Sequence, residues 1–129
     1  MPKQDKLLFS IIESSRHPNF ARLYQHLSIK EHCFNSMRKV IKQLKTHPPD
    51  YIVAEFFYGY GNNYAGVNIS NLDVMLYSLQ KYSPSTKVIV LVDKKEYQYV
   101  DKLNDIIPLH EILIRPFAEN LMIKALSTN

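Results

Sequence analysis

Apolar positions along this chain fall into two alternating periods. Residues 7–12 form a short, nearly unbroken apolar run of strand length, closed by Ser14, Ser15 and Pro18. Phe20, Leu23, Tyr24 and Leu27 then recur at i, i+3, i+4 and i+7, the stripe of an amphipathic helix. Residues 31–35 carry a faint pattern for a second strand, and Asn35 or Ser36 is placed to cap a helix whose Met37, Val40, Ile41 and Leu44 repeat the helical spacing. Pro48 and Pro49 stop that helix. Residues 51–56 read as a third strand, followed at 57–68 by an aromatic loop that holds Gly59, Gly61 and Gly66 with Tyr58, Tyr60 and Tyr64. Ser70 or Asn71 is expected to cap a third helix with Leu72, Met75, Leu76 and Leu79 inward. Ser83-Pro84-Ser85 turns the chain into residues 87–92, a nearly continuous β-branched strand. Asp93 is expected to cap a fourth helix reaching about Leu103. Residues 112–114 read as the fifth strand and 117–126 as the last helix, with Phe117, Leu121 and Ala125 on its inner side.

Strands alternating with helices imply right-handed βαβ crossovers that cover both faces of a parallel sheet. The unbroken apolarity of the third and fourth strands fits burial on both faces. These observations predict an α/β three-layer sandwich, flavodoxin-like (βα)5, with a five-stranded sheet in the order 2-1-3-4-5. Ligand sites in such sheets lie beyond the carboxyl ends of the strands, at the crevice where the strand order reverses. The residues just past those ends are Glu13, Ser14 and Ser15, then Glu55, Phe56 and Phe57, then Val92 and Asp93, then Arg115. An acid and a base, Glu55 and Arg115, each stand where an apolar strand runs out.

The 129 residues suit one domain, 1–129, with a core over about 6–126. Hydrophobic content of 46% and charged content of 22% fit a folded, water-soluble protein. No apolar run approaches membrane length, and the charged start of the chain shows no signal peptide. The single Cys33 allows no internal disulfide, in keeping with a cytoplasmic location. The net charge is +4, and residues 1–48 hold nine Lys/Arg against three Asp/Glu. Arg38, Lys39, Lys42 and Lys45 supply much of that excess on one helix face. They read as a solvated surface rather than a nucleic-acid stripe, since no RNA-binding motif or zinc spacing accompanies them.

Two motifs carry a resemblance. Pro49-Asp50-Tyr51-Ile52-Val53-Ala54-Glu55 and Ile114-Arg115-Pro116-Phe117, in this order and at this separation, resemble the receiver domain of bacterial two-component response regulators over nearly the whole length. The resemblance implies that Glu55 stands at the phosphoacceptor aspartate, Glu13 and Ser14 at the acidic pair that holds Mg²⁺, and Val92 at the hydroxyl that follows the phosphoryl group. It likewise puts Arg115 at the lysine and Ile112 at the aromatic gate. All of these positions depart from the family pattern. Glu carries its oxygens roughly 1.5 Å further out than Asp, and errors of about 1 Å can cost on the order of 100-fold in phosphoryl transfer. Ser14 offers a divalent cation no carboxylate, and Val92 offers no hydroxyl. The phosphorylation cycle is therefore expected to be lost, leaving Glu55 and Arg115 to pair across the crevice, with Glu55 carrying charge outward like a permanent acyl phosphate. The family's motif also implies a cis Arg115–Pro116 bond, which the general X–Pro frequency of about 5–6% would not suggest.

The expected function is a stand-alone degenerate receiver, a pseudo-receiver without catalytic residues, metal or cofactor. It would act as a phosphorylation-independent protein-interaction module in bacterial signalling, with a protein partner or a second copy as its target. Its contact surface would be the 57–68 loop (Tyr58, Tyr60, Tyr64) or the face of helix 4, strand 5 and helix 5, which includes Tyr97 and Tyr99. Tyr and Asn suit adaptable recognition surfaces. No membrane or nucleic-acid contact is expected. Three other readings stand beside it: an atypical receiver still phosphorylated, or binding Mg²⁺, at Glu13 and Glu55; a small-ligand or nucleotide binder of flavodoxin-like fold; and a nucleic-acid adaptor using Arg38–Lys45. His17, His26, His32, His47 and His110 lack metal-ligand spacing and read as surface polar residues. Cys33 reads as a small, partly buried residue.

Overall fold

The computed structural model describes residues 6–59 and 70–127. Five parallel strands, β1 (Lys6–Ile11), β2 (Ile29–Phe34), β3 (Tyr51–Glu55), β4 (Lys87–Val92) and β5 (Glu111–Ile114), form one sheet in the order β2-β1-β3-β4-β5. This is the predicted flavodoxin-like arrangement. Between them run α1 (Ala21–His26), α2 (Met37–Leu44), α3 (Asp73–Tyr82), α4 (Tyr97–Val100) and, after β5, α5 (Glu119–Ser127).

The period of two in the strands sorts their side chains into two cores. Phe9, Ile11, Ile52, Ala54, Val88, Val90 and Val92 face one layer, where Val40 and Leu44 of α2, Met75, Leu76 and Leu79 of α3, and Val100 of α4 cover them. Leu8, Tyr51, Val53, Ile89, Leu91 and Leu113 face the other, under Leu23 and Tyr24 of α1 and Met122, Ala125 and Leu126 of α5. The Tyr51 hydroxyl, buried in that second layer, donates a 3.0 Å hydrogen bond to the Leu126 carbonyl and ties α5 to the sheet.

Several elements depart from the hydrophobic pattern. β2 starts two residues earlier than predicted because it is an edge strand: only Ile29 is fully buried along it, so burial leaves almost no periodic signal. Cys33 on this edge is exposed rather than partly buried. The fourth helix is not continuous. Its α-helical part is confined to Tyr97–Val100, between 3₁₀ turns at Lys94–Glu96 and Asp101–Asp105, and Asp93 gives it no side-chain cap. Only Val100 and Leu103 of this stretch are fully buried, which is too little apolar contact to hold a longer regular helix. In α5 the inward stripe is Met122, Ala125 and Leu126, and Leu121 is 47% exposed. Phe117 packs on the same core from outside the helix. Leu121 stands one residue, about 100° around the helix, from Met122, which turns it off that stripe toward solvent.

Asn71 does not cap α3 either. Nor does Ser70: α3 starts behind Leu72 with no side-chain cap, and Ser70 instead closes a turn with Asp73, its N–H and Oγ–H both donating to Asp73 Oδ1, at 2.7 and 2.9 Å, while the Leu72 N–H donates to Ser70 Oγ at 3.0 Å. This frees the Asn71 side chain to turn toward the carboxyl ends of β1 and β3. The Arg115–Pro116 peptide bond is cis. Tyr60, Tyr64, Gly61 and Gly66 lie outside the described residues.

Candidate functional site

The crevice is built from four strand ends. Glu55 follows Tyr51 and Val53 by the strand period, so its side chain leaves β3 on the face covered by α1 and α5. It is neither extended outward nor solvated: the residue is 2% exposed and its carboxylate folds back toward the loop after β1. There Ser14 Oγ donates to Oε2 at 2.7 Å and the Glu13 N–H donates to Oε1 at 3.3 Å. The Arg16 N–H donates to Ser14 Oγ at 3.1 Å, which orients the hydroxyl toward the carboxylate. The expectation of a negative charge carried outward is therefore corrected. The extra methylene of Glu gives the carboxylate the reach to find donors on the neighbouring loop.

His17 is the residue that sequence reasoning placed wrongly. Its side chain is 5% exposed, and its Nδ1 lies 3.5 Å from Glu55 Oε1 without a well-aligned hydrogen bond. Burial pushes the Glu55 carboxyl up, but His17, the Ser14 hydroxyl and the Glu13 N–H together outweigh it and hold it below the ordinary range. Glu13, at the exposed rim, is shifted the other way: burial raises its carboxyl, the contact with Asn71 opposes that, and the charge of Glu55 adds to it.

Asn71 is the second residue missed. Its Oδ1 accepts the Phe57 N–H at 2.8 Å, and its Nδ2 donates both to the Glu55 carbonyl at 2.9 Å and to the Glu13 carboxylate. One side chain thus joins the end of β3, the loop after β1 and the start of α3. Its only sequence signal was a polar residue near a helix start, which the capping reading absorbed.

Arg115 and Glu55 do approach, with Nη2 3.7 Å from Oε2, yet the short ion pair of Arg115 is with Asp93, Nε to Oδ1 at 2.7 Å. Glu55 is already held by the β1 loop, whereas Asp93, at the end of β4 beside β5, stands within direct reach. Arg16 joins the same carboxylate at 3.4 Å, Arg115 Nη1 donates to the Arg16 carbonyl at 3.1 Å, and the Arg115 guanidinium lies 4.7 Å from the centre of the Phe117 ring. Val92 is buried at 1% exposure and presents only methyl groups. Ile112 is partly buried against the α2–α4 core, Tyr97 is 48% exposed, and Tyr99 stacks on Tyr58 with ring centres 3.7 Å apart.

Among the described residues no group of three or more His, Cys, Asp or Glu side chains is arranged to hold a metal ion, and no helix is long and apolar enough to cross a membrane. The donor set at the crevice does not fit Mg²⁺, which needs near-octahedral oxygen coordination. Both Glu55 oxygens already accept hydrogen bonds, Asp93 is engaged by two guanidinium groups, and Ser14 stands where a second carboxylate would be required.

No protein-family model matches the chain, and no curated protein sequence matches it. Solved structures do. The structure titled FixJ-N superposes with a TM-score of 0.72 at 11% identity, covering 96% of this chain and 92% of the other. The receiver domain of the Francisella response regulator 1452 gives 0.66 at 16% identity, covering 95% and 94%. NtrX from Brucella abortus gives 0.70 at 10% identity, and there 96% of this chain spans 26% of the other. The fold is that of receiver domains.

Proposed function

We propose that this chain is a receiver-like signalling module of the bacterial two-component type that works by protein contact, without phosphorylation and without a resident cofactor. The observation that carries this reading is the closed state of Glu55. Where the receiver pattern has an aspartate open to an incoming phosphoryl group, this carboxylate is 2% exposed and bonded to Ser14 and the Glu13 N–H. Receiver chemistry depends on positioning and on cationic and metal stabilisation of the transferring group. Here the cation of β5 is drawn to Asp93, and Val92 has no hydroxyl to follow a phosphoryl oxygen. A crevice held by its own side chains supports one standing conformation rather than two.

Contact through the face of α4, β5 and α5 is supported by Tyr97, Ile114 and Leu121, which are 48%, 37% and 47% exposed. Tyr58, 48% exposed and stacked on Tyr99, extends that surface toward the crevice rim. Aromatic anchors of this kind dominate binding at protein interfaces.

The test is an amide NMR titration with Mg²⁺ and beryllofluoride, a mimic of the acyl phosphate. The expected result is no saturable shift at the amides of Glu13, Glu55, Val92 and Arg115. A saturable shift there, accompanied by movement of the β4–β5 region, would overturn the reading in favour of a working receiver.

A further inference from the structure

Beside the Glu55 network, and sharing Arg115 with it, lies a cleft of about 360 Å³ lined by Arg16, Asp93, Lys94, Lys95 and Arg115. Its wall comes from three separate segments: the loop after β1, the turn after β4 and the end of β5. Four cationic side chains surround one carboxylate, so the cleft carries a surplus of positive charge. Among the described residues Lys94 and Lys95 pair with no carboxylate.

Arg115 is 23% exposed and held from several sides, whereas Arg16 is 60% exposed and tethered to Asp93 by one longer contact. Asp93 receives Arg115 Nε at 2.7 Å and Arg16 Nη1 at 3.4 Å, Arg115 Nη1 is bonded to the Arg16 carbonyl at 3.1 Å, and Phe117 backs the Arg115 guanidinium. Each guanidinium has five N–H donors in a fixed fork. These contacts use only part of each fork and hold the rest in place. Asp93 thus works less as a counter-ion than as a post that sets the orientation of two forks. Donors fixed before binding lose little entropy when an anion arrives, and a planar fork matches phosphate oxygens in pairs.

We propose that this cleft is a non-covalent binding site for a compact polyanion of the pyrophosphate class, the group shared by nucleoside diphosphates and other small diphosphate esters. Arg16 and Arg115 supply the oriented contacts, and Lys94 and Lys95 close over the second phosphate. Cations that converge from three segments on one carboxylate, rather than lying along one element, favour a compact anion over an extended acidic peptide. Such a ligand would sit beside the α4–β5–α5 face and bias its contacts. The site extends the proposed function but does not depend on it, because it uses neither Glu55 nor Val92 and needs no divalent cation.

The probe is inorganic pyrophosphate, titrated into the whole chain in the presence of EDTA at constant ionic strength and followed by amide NMR. The expected result is a saturable response at Arg16, Lys94, Lys95 and Arg115, with binding roughly tenfold weaker in the Lys94→Gln/Lys95→Gln variant, as loss of two partly exposed charge contacts implies. These lysines lie outside the Glu55 network, so the variant should keep the parent's stability. Equal affinity in the variant, a response that follows ionic strength alone, or tighter binding of a glutamate-rich peptide than of pyrophosphate would overturn the proposal. EDTA keeps the two tests separate: beryllofluoride with Mg²⁺ interrogates Glu55, and pyrophosphate without metal interrogates the cleft.

Discussion

Glu55→Gln removes the charge at the centre of the crevice while keeping its volume. In the parent chain the carboxylate accepts a 2.7 Å bond from Ser14 Oγ and a 3.3 Å bond from the Glu13 N–H, both inside a 2%-exposed site. Hydrogen bonds to a charged group contribute roughly 1.5–3 kcal/mol each, and neutral ones about 1 kcal/mol. The amide oxygen can still accept from the Glu13 N–H and its NH2 can donate to Ser14 Oγ, which must then give up its donor role, so both charge-assisted bonds weaken to neutral ones. The expected loss is about 2–3 kcal/mol at pH 7, read by urea unfolding with an unchanged m-value. The pH course carries the sharper test. The folded Glu55 carboxyl is held below its ordinary value of 4.5, so its contribution is full above that value and disappears as pH falls through the lower folded value. The gap between parent and variant should therefore stay constant from neutral pH to about 5 and close in more acid solution. Glu13 runs in the opposite sense: its carboxyl is raised, so it costs stability as pH rises, and the share of that cost due to Glu55 vanishes in the variant. This trims the gap without reversing it. A difference under about 0.5 kcal/mol at pH 7, or one independent of pH, would refute the account of Glu55 as a satisfied buried anion.

Asn71→Ala should lower stability by about 2–3 kcal/mol, because it removes the Asn71 bonds to the Phe57 N–H and the Glu55 carbonyl. The same variant should speed hydrogen exchange at the Phe57 amide well beyond the global change, and equal acceleration at every amide would contradict a local strut. Tyr51→Phe keeps the ring and deletes only the 3.0 Å bond to the Leu126 carbonyl, so a loss of about 1 kcal/mol in urea unfolding is expected. No loss would mean that apolar packing alone seats α5.

The two layers of the fold were legible because burial writes a period into each element. β3 and β4 are fully or almost fully buried and show as continuous apolar runs, and α2 shows Val40 and Leu44 one turn apart. β2 and the fourth helix were read poorly for the converse reason: an edge strand with one fully buried residue and a broken helix with little apolar contact impose no clear period. The strand ends also put Glu13, Ser14, Glu55, Val92 and Arg115 at one edge of the sheet, since parallel topology brings all carboxyl ends together.

Which of those residues would touch was a different matter. Glu55 meets Ser14 across 41 positions of sequence and Asn71 meets Glu13 across 58, and no local pattern records such distances. That Arg115 makes its short pair with Asp93 and a longer one, at 3.7 Å, with Glu55 depends on which carboxylate is already satisfied, and the burial of His17 depends on how the loop after β1 packs beneath the crevice. The sheet, its order and the edge where its polar strand ends gather follow from period and connectivity, which the chain carries in one dimension. That Glu55 turns inward, that Asn71 braces the crevice and that Asp93 holds two arginines follow from competition among donors and acceptors, which distance and orientation in space settle.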